Sequence, residues 1–199
     1  MSDWIISIIT DFGYLGIVLL MLLEALFPPI PSEMIIPFAG YSAATGALDP
    51  FLVVLGATFG STLGAIPWFL AGWFFGLDRC KWLANRFGRL LTISSNDIDI
   101  ADRWFDRYGW TVVFFGRLLP IIRTLISVPA GLTRMKPHWF VLASLAGMTL
   151  WNIILVSAGY LLHEHYHLAE AWLDPLTYVV LGGVVLIYLW RVITWKPHA

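Results

Sequence analysis

Four ionisable side chains sit in strongly apolar surroundings: Glu24 and Glu33 in LEALFPPIPSE (residues 23–33), Arg117 and Arg123 in GRLLPIIRT (residues 116–124). An ionised group at the centre of a bilayer costs ~2.5–3.5 kcal/mol on an insertion scale, so such residues need partners or a function. A guanidinium presents a planar fork of donors that matches the oxygens of a carboxylate or a phosphate. Two acids and two arginines brought together form a pocket that is nearly neutral when empty. A phosphate entering it displaces carboxylates from the arginines. An acid then left buried without its counter-charge takes up a proton, because burial disfavours the charged form. This chemistry makes Arg117 and Arg123 phosphate-binding residues and Glu24 and Glu33 proton-coupling residues. The plainer alternative is a set of ion pairs that only pins two segments together.

The elements that carry these residues belong to a membrane protein. Of 199 residues, 59% are hydrophobic and 13% charged, and the mean hydropathy is +0.77, far from the balance of a soluble domain. The formal net charge of -1 suggests no nucleic-acid partner. Phe51 to Gly76 and His138 to Leu162 exceed the ~20 residues that a spanning helix requires, and Leu176 to Ile193 is just sufficient. Phe12 to Gly46 is interrupted by Pro28, Pro29, Pro31 and Pro37, and Trp110 to Leu132 by Pro120 and Pro129, so both read as re-entrant broken-helix hairpins. Broken backbone at membrane depth must be buried in protein or line a wet cavity. Its free N–H groups near Pro29-Ile30 and Pro120-Ile121 favour an anion.

Charge sets the orientation. Arg79, Lys81, Arg86, Arg89, Arg103 and Arg107 cluster between the apolar regions, and Arg191 and Lys196 lie near the C-terminus, whereas His163 to Asp174 carries no Lys or Arg. The positive-inside bias makes the first two groups cytoplasmic and the last segment external. No signal peptide is expected, for want of a basic flank and a cleavage site. A shift of 87 positions lays Pro50, Gly60, Thr62, Leu63 and Gly72 on Pro137, Gly147, Thr149, Leu150 and Gly159; a shift of 91 lays Pro29, Ile30, Ala39 and Gly40 on Pro120, Ile121, Ala130 and Gly131. The expected fold is therefore all-α and polytopic, one membrane domain over residues 1–199. Repeat 1 covers about 12–76, a cytoplasmic amphipathic linker 78–108, repeat 2 about 109–162 and a C-terminal transmembrane helix 175–194. The charge bias gives the repeats opposite orientations, a layout shared with secondary transporters that bind substrate and coupling ion near the midplane.

The motif E-x-x-F-P-P-I-P-S-E at Glu24 to Glu33, with G-R-x-x-P-x-x-R-T-x-I-S-V-P-A-G at Gly116 to Gly131, closely resembles the DedA family of bacterial membrane proteins, related to VTT-domain lipid scramblases. The resemblance runs over roughly residues 10 to 165. It implies translocation of undecaprenyl phosphate or a phospholipid across the bacterial plasma membrane, driven by a proton or sodium gradient, with no cofactor and no enzymatic step. Glu24, Arg117 and Arg123 fall directly on the family's motif; at Glu33, some members carry the second acid a few residues further along.

Other readings compete with this one. Proton-coupled export of a small soluble solute would use the same acids and leave the arginines as counter-ions. A scaffold in envelope assembly would tolerate Arg117→Lys. His163, Glu164 and His167 satisfy H-E-x-x-H, but a catalytic zinc needs three protein ligands and no clear third follows, so no metal site is assigned. A phosphatase would need a nucleophile or metal cluster near the arginines, where the hairpins offer only Ser32, Thr124 and Ser127. Asn152, inside the second long span, is either glue between helices or a substrate contact. Gly56, Gly60 and Gly64 form a G-x-x-x-G pattern that serves either dimerisation or packing within the chain. Lone Cys80 excludes an internal disulfide.

Overall fold

The computed structural model describes residues 2–27, 32–91, 95–120, 122–162 and 190. Nine helices carry the described chain: α1 (Ser2–Phe12), α2 (Tyr14–Leu26), α3 (Ser32–Ala44), α4 (Pro50–Phe75), α5 (Leu77–Leu91), α6 (Ser95–Arg117), α7 (Ile122–Leu125), α8 (Ser127–Leu132) and α9 (Pro137–Leu161). The two long apolar helices begin alike, each with proline at its first position, where no backbone donor is lost. At α4 the Asp49 carboxylate also accepts from the Phe51 and Leu52 amides, at 2.9 and 3.1 Å. Gly76, at φ +75°, ends α4 in a conformation that L side chains rarely adopt. With 26 and 25 residues, α4 and α9 extend about 39 and 37 Å, enough to cross a hydrocarbon core of about 30 Å. The shorter helices α2 and α3 have 13 residues each, about 20 Å, and fall short.

The packing suits helices in lipid. Large apolar side chains face outward, among them Leu15, Leu19 and Phe59, while Gly60, Ser61, Thr62, Gly64, Ser144, Gly147 and Asn152 are buried. Without water to drive large apolar groups inward, small and polar residues let backbones approach. A Cβ at Gly40 would run into the Val156 carbonyl and one at Gly159 into the Pro37 carbonyl, locking α3 onto α9. Gly131 and Gly72 meet the carbonyls of Phe69 and Val128 in the same reciprocal way, locking α8 onto α4. A Cβ at Gly60 would clash with Val18, and one at Gly64 would stand 2.6 Å from the Ala25 Cβ. The G-x-x-x-G face is thus spent on packing α2 within the chain.

Three features differ from the sequence reading. The helix α1, tied to α2 through Ile5 and Ile9, was unforeseen, although Ile5, Ile8, Ile9 and Phe12 carry helical spacing. Pro37 does not interrupt its segment: α3 runs through it, forgoing only the bond that the Glu33 carbonyl would accept. Nor is there a break near Tyr108, since α6 continues from the linker to Arg117 without interruption. All of the expected C-terminal span at 175–194 except residue 190, the residues Pro28 to Pro31, and the His163, Glu164 and His167 motif lie outside the described residues.

Between α5 and α6, the Lys81 ammonium lies 2.5 Å from Asp99 Oδ1. The Asp99 carboxylate raises the lysine above its ordinary range. A raised lysine value means that the pair's contribution is complete at neutral pH and is lost only as pH rises through that elevated value. Exposed pairs contribute little. Asp99→Asn is accordingly expected to leave the thermal midpoint in detergent at neutral pH almost unchanged.

Candidate functional site

Three elements bring the ionisable residues together. Glu24 lies near the end of α2, Glu33 in the first turn of α3 and Arg123 in the short helix α7. Arg123 Nη2 donates to Glu24 Oε1 and to the Ser32 hydroxyl, and Glu33 Oε1 stands 3.9 Å away. That last distance is an ion pair and not a hydrogen bond. Glu24 is 4% exposed, whereas the Glu33 side chain is 35% exposed. Glu33 is therefore the looser acid, stabilised where it stands by the first-turn position of α3.

Arg117 stands apart from this cluster. Both acids gather on Arg123, and Arg117 makes no ion pair among the described residues. The reason is positional. Glu24 on α2 and Glu33 on α3 both reach Arg123 on α7, whereas Arg117, at the end of α6, finds its side-chain partners on α8 and α9. Its Nη1 donates to the Arg123 carbonyl, its Nη2 to Ser127 at 2.9 Å and Ser144 at 3.0 Å, and its Nε to Ser144 at 3.2 Å. The guanidinium also stacks over the Phe140 ring, 5.4 Å from its centroid, a favourable cation–π contact. At 1% exposure it is among the most deeply buried large side chains. Its backbone is pressed close as well, since a Cβ on Gly147 would stand 2.7 Å from the Arg117 Cβ.

A small cavity, about 20 Å3 in volume, opens between these groups, lined by Glu24, Arg117, Arg123, Ser127, Trp151 and Asn152 among others. Such a space takes about one water molecule. Asn152 donates to the Thr58 hydroxyl at 3.1 Å, across α9 and α4, so the glue assigned to it is present, on a residue that also borders the cavity. Losing that bond in Asn152→Leu is expected to cost about 0.6 kcal/mol, the average for polar contacts between membrane helices, read from the midpoint of unfolding in a denaturing detergent. Ser144 escaped the sequence reading. Its signal was its place on the small, polar face of α9 with Gly147, Met148 and Asn152, all buried.

The VTT domain matches residues 30–161, which include Glu33, Arg117, Arg123 and Asn152 but not Glu24. The chain belongs to the VTT domain family, that of DedA proteins. An "Alkaline phosphatase-like protein" of Lactococcus lactis subsp. cremoris is 36% identical over 190 residues, covering 95% of this chain and 89% of the relative. The "Undecaprenyl phosphate transporter A" of Staphylococcus aureus is 32% identical over 196 residues, 97% of both chains, and its namesake in Bacillus subtilis is 29% identical over 193, covering 95% and 92%. No solved structure matches this VTT domain chain.

Proposed function

We propose that the chain is a transporter of an anionic lipid, undecaprenyl phosphate or a phospholipid, across the bacterial plasma membrane, coupled to the movement of protons or sodium. One observation carries the reading: Arg117 is buried with four hydrogen bonds to neutral acceptors and no ion pair among the described residues, beside an Arg123 held by a carboxylate. A buried guanidinium offered only hydroxyls and a carbonyl lacks a counter-charge, and a phosphate supplies one in a low-dielectric site where the attraction is strongest. The names of the staphylococcal and bacillar relatives favour a lipid phosphate as that anion.

In the mechanism the phosphate binds first at Arg117 and then displaces Glu24 from Arg123. Glu24, left without its counter-charge, takes up a proton; releasing the lipid on the other side restores the Arg123 pair and expels the proton. Glu33, half-exposed and not hydrogen-bonded to Arg123, relays that proton. The cavity of about 20 Å3 is too small for a headgroup, so the hairpins must part to admit one. Re-entrant, inverted repeats provide this motion. Supporting them, the contacts Gly40 with Val156 and Gly159 with Pro37 have exchanged counterparts in Gly131 with Phe69 and Gly72 with Val128, each residue related to its counterpart by 91 or 87 positions.

The alternative, export of a small soluble solute by the same acids, leaves Arg117 without an anion to bind. The lactococcal name favours a phosphatase, and such an enzyme would release phosphate from the lipid. Native mass spectrometry of the delipidated protein with added polyprenyl phosphate, polyprenol or phosphatidylglycerol separates these. A retained, unhydrolysed polyprenyl phosphate with no bound polyprenol is the expected result. Free phosphate or equal binding of polyprenol would overturn the proposal.

A further inference from the structure

Trp151 lines the same cavity as Arg117, Arg123 and Glu24, and its Nε1 is buried with no hydrogen-bond partner, the one such side-chain atom among the described residues. Buried polar groups are nearly always paired, and leaving one unpaired forfeits its hydration with nothing in return. A phenylalanine would fill the space without that cost. The fold can satisfy an indole when one is required, since Trp68 Nε1 donates to the Ala25 carbonyl at 3.0 Å.

Nor does the repeat plan ask for a large residue here. The counterpart of Trp151 under the shift of 87 is Gly64, closed against Ala25 and Leu22 so tightly that no Cβ fits. The second half therefore places a hydrogen-bond donor on the cavity where the first half has only a closely packed glycine. An indole N–H donates and never accepts, so whatever completes it is an acceptor.

We propose that the Trp151 indole N–H is a specificity-determining donor to the phosphate oxygen of the bound ligand, acting beside the Arg117 fork; this rests on the anionic-lipid reading above. The group selects phosphates against alcohols, because a polyprenol offers one weak acceptor where a phosphate offers several charged ones. Binding of a headgroup then removes the energetic penalty of the unpaired donor, so part of the affinity comes from a cost already present in the empty site.

The test uses the full chain in lipid nanodiscs with 15N-labelled tryptophan. The Trp151 indole resonance is assigned by its disappearance in Trp151→Phe, which keeps an aromatic ring. Polyprenyl phosphate, polyprenol and inorganic phosphate are titrated separately, and binding of each is followed independently by native mass spectrometry. The expected result is a downfield shift of the Trp151 indole proton with polyprenyl phosphate and none with polyprenol, and an affinity about tenfold or more weaker in Trp151→Phe. An equal shift with inorganic phosphate would keep the donor role but overturn the lipid as its source. If polyprenyl phosphate binds while the Trp151 resonance stays in place and Trp151→Phe binds as tightly, the indole serves a structural water only and the inference fails, with the lipid reading intact. If polyprenyl phosphate does not bind at all, the lipid reading fails and this inference with it.

Discussion

Arg117→Lys is expected to weaken polyprenyl phosphate binding by roughly ten- to a hundredfold while the protein still folds. Arg117 now spans three acceptors, Ser127, Ser144 and the Arg123 carbonyl, from the fixed fork of one guanidinium. A lysine keeps the charge but concentrates it on one nitrogen, so it cannot hold those groups and a phosphate in two parallel bonds. The loss of one charge-assisted bond is worth about 1.5–3 kcal/mol, which is the range of fold-change given. Titration monitored by native mass spectrometry reads it directly. A scaffold role would predict unchanged function in this variant, and an ion pair that only pins the hairpins would predict little effect, since Arg117 has no carboxylate partner among the described residues.

Gly131→Val has the largest expected effect on stability. A Cβ there meets the Phe69 carbonyl, part of the α4 backbone, and cannot be accommodated by turning a side chain. The α4 and α8 helices must separate, at a cost of about 3 kcal/mol or more. Gly159→Val should do the same to α3 and α9 through the Pro37 carbonyl. A built-in comparison is Gly109→Ala: that position lies within α6 with nothing near its missing Cβ, and the substitution should stabilise by about 0.5–1 kcal/mol. Unfolding in a denaturing detergent ranks the three. If Gly131→Val unfolds no more readily than Gly109→Ala, the helix locks do not hold the fold together.

The site was legible where charge contradicted its surroundings. Glu24, Arg117 and Arg123 stand out because charge is costly in an apolar segment, and all three are buried and border one cavity. Their pairing was not legible. Which acid meets which arginine depends on the direction in which α6 and α7 present their side chains, and neither spacing nor composition encodes that. Ser144 passed unnoticed because serine is common on the close-packed faces of membrane helices, and Ser127 drew attention only as a hydroxyl near the arginines. Among the elements, α4 and α9 were plain from length and hydropathy. The helix α6 starts at Ser95 in Ser-Asn-Asp, residue types that cap helices, and it runs on through Gly109 to Arg117, past the expected end of the linker at 108. Pro37 misled for a related reason: a helix buried among others tolerates a missing donor that an isolated one would not.

The most direct measurement of the central claim is transbilayer movement of polyprenyl phosphate in proteoliposomes under an imposed proton gradient, comparing the native chain with Glu24→Gln. The glutamine retains the size of the side chain and can still accept from Arg123, but it cannot take up and release a proton. Movement driven by the gradient in the native chain, reduced to gradient-independent exchange or lost in Glu24→Gln, is the predicted result. A native chain that moves no lipid phosphate, or a Glu24→Gln variant that responds to the gradient as the native chain does, would contradict the account.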